Sequence, residues 1–462
     1  MRQMKKRFVQ VGLGVRSEMY WQAVAGDFAD HCELVGICDN NAGRLAMRQQ
    51  QLADLATPVS AYAAEDFDRM IAECRPDTVI VTTRDCNHHH YICRAMELGC
   101  DAITEKPMTT DVDKCREILR TQQTTGKVCT VTFNYRYAPP RTQLKEMLMS
   151  GLIGNIVSVD FHWMLNTSHG ADYFRRWHRN KENSGGLMVH KATHHFDLVN
   201  WWLSSVPETV FAVGKRNFYR PETAAQLGLE NPGERCHACP ESTKCPFFLD
   251  LAGNEGLRAT YLDHEAHDGY FRDRCVFSPE IDIEDTMNVV VNYRSGATMS
   301  YSLNAFMPWE GFTVTFNGSR GRIEHLCQES IYINGDGQVP GELVREGTRT
   351  KVFPHFLPAY EVDIWEAQGG HGGADPVMLK YILDPSNQPE DKYLRAADQC
   401  AGAWSIITGI AANQSFKTGS PVQIADLLPH VAEPNYPPMP APFELISAAD
   451  LAAIATERST RA

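Results

Sequence analysis

The sequence predicts two layers of different class in succession. The first is an α/β unit built on a doubly wound parallel sheet, and the second is an α+β unit with an open, mainly antiparallel sheet. Over the first 130 residues, short apolar strands alternate with helical periods, and past Ala138-Pro139-Pro140 the texture changes to β segments separated by Gly-containing turns. The length agrees, because 462 residues hold two or three domains of roughly 150 residues each.

In chain order, Phe8–Val11, Leu34–Cys38, Thr78–Thr82, Ala102–Thr104 and Val128–Phe133 read as strands. Between them, Ala42–Leu55, Phe67–Cys74, Tyr91–Leu98 and Val112–Thr121 carry helical periods. Strands joined by helices of that length form βαβ units, whose parallel sheet is covered on both faces. The second unit opens with a helix at Thr142–Met149 and a strand at Ile156–Trp163, followed by a helix over Leu187–Leu203. Thr209–Val213, Thr286–Tyr293, Ala297–Leu303, Thr313–Phe316 and Arg322–His325 alternate as strands, and helices at Pro376–Ile382 and Lys392–Ile410 close it. The expected division is 1–130, 131–430 and a Pro-rich tail over 431–462, read as a surface arm. Residues 221–279 lack periodicity and form an insertion.

Composition excludes several function classes. The net charge of −13 repels phosphate backbones and anionic lipid, so neither nucleic acid nor a membrane surface is expected as partner. No apolar run reaches about 18 residues; Ala401–Ala412 is interrupted by Ser405, Thr408 and two glycines. Lys5, Lys6 and Arg7 precede Gln10 and the Gly12–Gly14 turn, a strand start and not an export signal. A cytoplasmic location follows as the expectation, with cysteines as thiols or metal ligands.

Gly12-Leu13-Gly14-Val15-Arg16-Ser17 follows the first strand and opens a helix. Glycines there let the backbone approach a pyrophosphate, and the helix start offers N–H donors. Ser17 stands where a third glycine is usual. Asp39 ends the second strand 25 residues after Gly14, placed to accept from a ribose 2′-OH, which favours NAD over NADP; Arg44 lies nearby. An α/β domain without nucleotide would show the same turn.

Past the fourth strand comes Glu105-Lys106-Pro107. With His88, Asn134-Tyr135-Arg136, Gly185-Gly186 leading into His190–Asp197, and Gly318-Ser319-Arg320-Gly321, the chain resembles the glucose–fructose oxidoreductase / inositol dehydrogenase / MocA (Gfo/Idh/MocA) family over nearly its whole length. The resemblance implies an N-terminal Rossmann domain, a C-terminal open-sheet domain, and oxidation of a ring hydroxyl of a sugar, glycoside or cyclitol. It implies cofactor contacts from Gly12, Leu13, Gly14, Val15, Asp39, Thr82, Thr83, His88, Glu105, Lys106 and Asn134. It makes Lys106 catalytic, since a lysine in a partly desolvated cleft beside the nicotinamide has a lowered pKa and takes the hydroxyl proton.

The family pattern Asp-x-Gly-x-His-x-x-Asp reads here His190-Lys191-Ala192-Thr193-His194-His195-Phe196-Asp197. His194 and Asp197 keep their positions, while His190 replaces the first acid. His190 and His194 are four residues apart and would share one helical face, with Lys191 in the same turn. Lys106, His190, Lys191 and His194 are therefore the expected catalytic groups. Two non-catalytic histidines, or a metal pair, are the alternatives. Substrate contacts are expected from Tyr135, Arg136, Asp197 and the segment Tyr173, Arg175, Arg176, Trp177, His178, whose aromatics stack on sugar faces and whose arginines bond hydroxyls. A Gly-rich loop offers His371 as a further contact, with Trp309 and Glu310 bordering the pocket.

Within the insertion, Cys236, Cys239, Cys245 and Cys275 have spacing that would suit a structural zinc or, alternatively, an iron–sulfur cluster ordering a polar segment. Three functions stay open. One is an NAD-dependent sugar oxidoreductase, and a second is a redox-cycling glycoside hydrolase that oxidises, eliminates, adds water and re-reduces. The third is a non-catalytic sensor. A homodimer or homotetramer is expected, because an open sheet leaves an apolar face to cover.

Overall fold

The computed structural model describes residues 5–55, 57–330, 347–366 and 370–440, with isolated positions beyond. The first layer contains β1 (Lys6–Val11), β2 (Cys32–Asp39), β3 (Ser60–Ala63), β4 (Thr78–Val81), β5 (Asp101–Thr104) and β6 (Cys129–Val131). They pair in parallel in the order β3-β2-β1-β4-β5-β6. Phe8, Val9, Val79, Ile80 and Val81 are fully buried, as expected of strands covered on both faces. Asn41 and Asp111 cap the helices Ala42–Gln51 and Val112–Thr125 by accepting from the backbone N–H of Arg44 and Lys114.

The second layer holds β7 (Ile156–Asn166), β8 (Pro207–Lys215), β9 (Thr286–Tyr293), β10 (Thr298–Met307), β11 (Glu310–Gly318), β12 (Gly321–Ser330), β13 (Thr348–Pro354) and β14 (Tyr360–Val362). A short β15 (Ala397–Asp398) returns to the first sheet, antiparallel to β6, and β16 (Val422–Gln423) edges the second. The second sheet runs β14-β13-β12-β11-β7-β10-β9-β8-β16, antiparallel except for β10 against β7. Along β9, Met287, Val289, Val291 and Tyr293 are buried while Asn288, Val290 and Asn292 face out. One face therefore packs on helices, chiefly Gln399–Thr418 against β8, and the other stays open.

Several sequence expectations differ from the structure. β3 escaped notice because Ser60-Ala61-Tyr62-Ala63 is short and has no β-branched residue. The helix expected over Leu187–Leu203 is two pieces, Leu187–His190 and Thr193–Leu203. The Ala192 N–H reaches back five residues to the Leu187 carbonyl at 2.8 Å, a widened turn. Residues 431–440 are not a free arm. The Trp404 indole N–H donates to the Ala432 carbonyl at 2.9 Å, and Ser204 Oγ donates to that of Pro437 at 2.6 Å.

The zinc or iron–sulfur expectation is not supported. Cys236, Cys239, Cys245 and Cys275 line one small cavity, yet among the described residues no group of three or more His, Cys, Asp or Glu is arranged to hold an ion. The premise that a polar insertion needs a metal also fails. Leu229, Leu251, Val276 and Phe277 are buried, and Phe247 packs edge-on against Tyr219 and Phe277. Arg235 binds both Glu265 (2.9 Å) and Asp273 (2.7 Å). The insertion is ordered by its own apolar residues and ion pairs.

Candidate active site

A cavity of about 440 Å³ opens at the carboxyl ends of β1, β2, β4 and β5, where the strand order reverses between β1 and β4. That is where α/β sheets place ligands. From the first layer it is lined by Gly12, Leu13, Gly14, Val15, Asp39, Thr82, Thr83, His88, Glu105, Lys106 and Asn134. From the second come Tyr135, Tyr173, Arg176, Trp177, His178, His190, Lys191 and His194.

The turn after β1 is built for close approach. Gly12 has φ +86°, and a Cβ there would lie 2.7 Å from Thr82 and Thr83 backbone atoms, so only glycine fits. A continuous helical run follows, made of a 3₁₀ turn (Val15–Ser17), an α-helical stretch (Glu18–Gln22) and a π turn (Ala23–Asp27). Ser17, in place of the third glycine, donates from Oγ to the Gly14 carbonyl at 2.6 Å. Asp39 accepts from Leu13 N–H at 2.6 Å and Asn41 N–H at 2.7 Å, which holds its carboxylate at the turn. A flush turn, a helix start behind it and a carboxylate at the end of β2 fit a dinucleotide.

The loop after β5 carries Glu105 and Lys106; the Lys106–Pro107 peptide is cis. Glu105 accepts from Arg16 Nε at 2.5 Å and from the Tyr20 hydroxyl at 2.7 Å. Burial opposes its ionisation, but Arg16, Lys106 and Tyr20 outweigh burial and hold its pKa below the ordinary range. His88 spans the Pro107 and Thr83 carbonyls at 2.8 and 3.2 Å and ties the two loops together. Lys106 Nζ donates to the His190 carbonyl at 3.1 Å. Burial, reinforced by Lys191 and Arg16 and opposed by Glu105 and Asp85, brings the amine down to about 8.

His190 Nδ1 lies 2.5 Å from Asp85 Oδ2, a residue the sequence reading missed. Burial raises the Asp85 carboxyl and lowers the His190 imidazole, so the pair favours a net-neutral state holding one shared proton. The ring of His178 meets His190 edge-on at 4.2 Å and stacks on Trp177 at 3.6 Å. Tyr135 stacks on His194 at 4.0 Å, and its hydroxyl accepts from Lys191 Nζ at 3.3 Å. Tyr173 Oη pairs with His169 Nε2 at 3.0 Å, and His169 Nδ1 with Glu310 at 2.7 Å, so Glu310 sits one step behind the wall. His195 belongs to the core, stacked on Trp163 at 4.3 Å.

Three expected substrate contacts are not at the cavity. Arg136 and Asp197 form a bidentate pair at 2.6–2.7 Å with both side chains 1% exposed, each compensating the other's buried charge. Arg175 turns toward the insertion and donates to the Phe247 carbonyl at 3.0 Å. The side chain of His371 lies outside the described residues. Missed besides Asp85 were Tyr261, Asp268 and Tyr270, which reach the cavity from the insertion. Asp85 had a signal, since it follows the carboxyl end of β4; the insertion residues had none, because nothing local ties them to the Gly12–Gly14 turn.

Comparison with known proteins agrees with this geometry. The family model described as "Oxidoreductase family, NAD-binding Rossmann fold" matches residues 6–133, and "Oxidoreductase family, C-terminal alpha/beta domain" matches 145–424. A Bacillus subtilis relative named only as an oxidoreductase, YteT, is 37% identical over 431 residues, covering 91% of this chain and 98% of its own. Glycosyl hydrolase family 109 protein 1 of Akkermansia muciniphila is 28% identical over 196 residues, 40% of each chain. In fold, the chain is similar to myo-inositol 2-dehydrogenase from Lactobacillus plantarum, with a TM-score of 0.60 at 15% identity over 91% of this chain and 99% of that one. Two family domains in sequence, joined at a cavity that fits a dinucleotide, make this chain a member of the Gfo/Idh/MocA family of oxidoreductases, with an N-terminal NAD-binding Rossmann domain.

Proposed function

We propose that the protein oxidises a ring hydroxyl of a sugar, glycoside or cyclitol, with Lys106 accepting the hydroxyl proton. The observation that carries this is the Lys106 amine, lowered to about 8 and lining the cavity between the glycine turn and the aromatic–histidine wall. When bound, a nicotinamide supplies a hydride acceptor. At pH 7 about one lysine in ten is free base, enough for a group that accepts a proton in each turnover. Glu105 orients the lysine loop; Tyr173 and Trp177 offer faces for a sugar ring, and Arg176 and Lys191 offer donors to its hydroxyls. Relatives named as glycosyl hydrolases and inositol dehydrogenases support a carbohydrate class. The test follows NADH absorbance while purified protein turns over a panel of sugars and cyclitols with NAD. Steady NADH formation with at least one member is the expected result.

A second reading is favoured by the Asp85–His190 pair, a second buried acid–base couple beside Lys106. Oxidation of a glycoside hydroxyl acidifies the neighbouring C–H. A second base removes that proton, its acid form protonates the leaving oxygen, water adds, and the hydride returns, so that the net change is hydrolysis. Glycoside cleavage without NADH accumulation distinguishes it. The reading also includes residence in the cytoplasm, a division at 1–130 and 131–430 with a tail from 431, and self-association. Phe211 and Val290 face each other across β8 and β9 and are exposed, which supports self-association through the open sheet. Among the described residues no helix is long and apolar enough to cross a membrane.

A further inference from the structure

The insertion does not stand apart from the chemistry. Its stretch from Tyr261 to Tyr270 lies against the glycine turn and the end of β2. The Tyr261 hydroxyl accepts from the Val15 N–H at 3.2 Å, and its oxygen would be 3.3 Å from a Cβ on Gly14. Asn41 Nδ2 donates to the His264 carbonyl at 2.9 Å. A Cβ on Gly43 would lie 2.4 Å from the His264 ring and 2.7 Å from that of His267, so the helix Ala42–Gln51 is shaped to receive this segment. Arg44 bridges Asp39 at 3.2 Å and Asp268 at 2.9 Å, and all three side chains are at most 8% exposed.

Two features of this contact point to a ligand. Tyr261 accepts from Val15 but makes no donor bond of its own among the described residues, so its O–H is free for a phosphate oxygen at the turn. The Tyr270 hydroxyl is buried, lines the same cavity and has no hydrogen-bond partner among the described residues. A buried hydroxyl without a partner is costly unless something else occupies the cavity. Arg44, a cation beside Asp39 that would suit a 2′-phosphate, is already held between two carboxylates.

We infer that residues 261–270 form a third wall of the dinucleotide site, in which Tyr261 and Tyr270 hold bound NAD in place and Asp268 refuses NADP by occupying Arg44. This rests on the cavity being a dinucleotide site, as proposed above. The consequence is a cofactor that leaves slowly, so that NADH release limits the rate of steady turnover.

The test reads binding and not turnover. NADH fluorescence would give dissociation rates, and titration with NAD and NADP the affinity ratio, for the full chain and for Tyr261→Phe, Tyr270→Phe and Asp268→Asn. Thermal melts check that each variant is folded. Tyr270→Phe removes no hydrogen bond made among the described residues, so it stays usable if the others misfold. The expected result is NADH release at least tenfold faster in Tyr261→Phe or Tyr270→Phe, and a preference for NAD over NADP reduced at least tenfold in Asp268→Asn. Release rates and ratios within twofold of the parent in folded variants would overturn the inference while leaving the dinucleotide site intact. A parent chain that binds neither dinucleotide would overturn that site as well.

Discussion

Two acid–base pairs cross between segments far apart in the chain, and they differ in one respect. Arg136–Asp197 and Asp85–His190 are both short and both buried, at 2.6 and 2.5 Å. The first is sealed in the core, with Tyr436 of the returning tail over the Arg136 guanidinium at 5.6 Å. The second faces the cavity, beside a lysine whose proton is loosely held. Charge pairing alone does not mark a functional site. A sealed pair contributes to stability and register, because breaking it strands a charge in low dielectric. A pair open to a ligand can exchange its proton with one.

The sharpest test of this contrast separates turnover from folding. Lys106→Ala should lower turnover by about 10²–10⁴-fold, the usual weight of a positioned general base, with NAD affinity retained in a fluorescence titration; unchanged turnover would remove Lys106 from the mechanism. Asp197→Asn should do the reverse. It leaves Arg136 buried without its counter-charge, at a cost of about 3–5 kcal/mol in denaturant melts, while the folded fraction keeps its specific activity. Asp85→Asn should lower turnover by about 100-fold, the lower end of the range for proton-transfer groups, with little change in melting. Equal melting losses in the two variants would erase the distinction between the pairs.

The pH dependence is a finer probe. The Lys106 amine, lowered to about 8, acts as a base only when unprotonated. Oxidation should therefore rise about tenfold per unit below pH 8 and level off above it. A profile flat from pH 6 to 9 would speak against a titrating lysine. The smallest expected effect is Ser17→Gly, which restores the usual third glycine and removes only the bond to the Gly14 carbonyl, a change of about 1 kcal/mol in stability.

Much of this was legible in residue order because it is local. The β4 strand carries the continuous apolar run Val79-Ile80-Val81, and Gly12-x-Gly14 with Asp39 and Glu105-Lys106 are short motifs whose chemistry travels with them. The second-layer strands betray themselves by alternation, as in β9. The active-site helix was misread where the Ala192 N–H reaches back to Leu187, a departure from helical spacing that no periodicity reveals. His190 and His194 still reach one cavity, although not along one continuous helix. The motif residues Arg136 and Asp197 looked like substrate contacts because type and position, but not accessibility, can be read from sequence.

The sequence by itself determined the two-layer fold, the nucleotide turn, the lysine at its mouth and the family. Each depends on periodicity or on residues within a few positions of one another, where chain geometry fixes the outcome. Only the tertiary structure decided which charges are sealed and which are open, that Asp85 and His190, 105 residues apart, meet at 2.5 Å, and that the insertion closes on Gly14 and Arg44. Those outcomes depend on which surfaces exclude water from one another. Burial of that kind is a property of the packed whole, set by contacts between segments that carry no local mark of their destination.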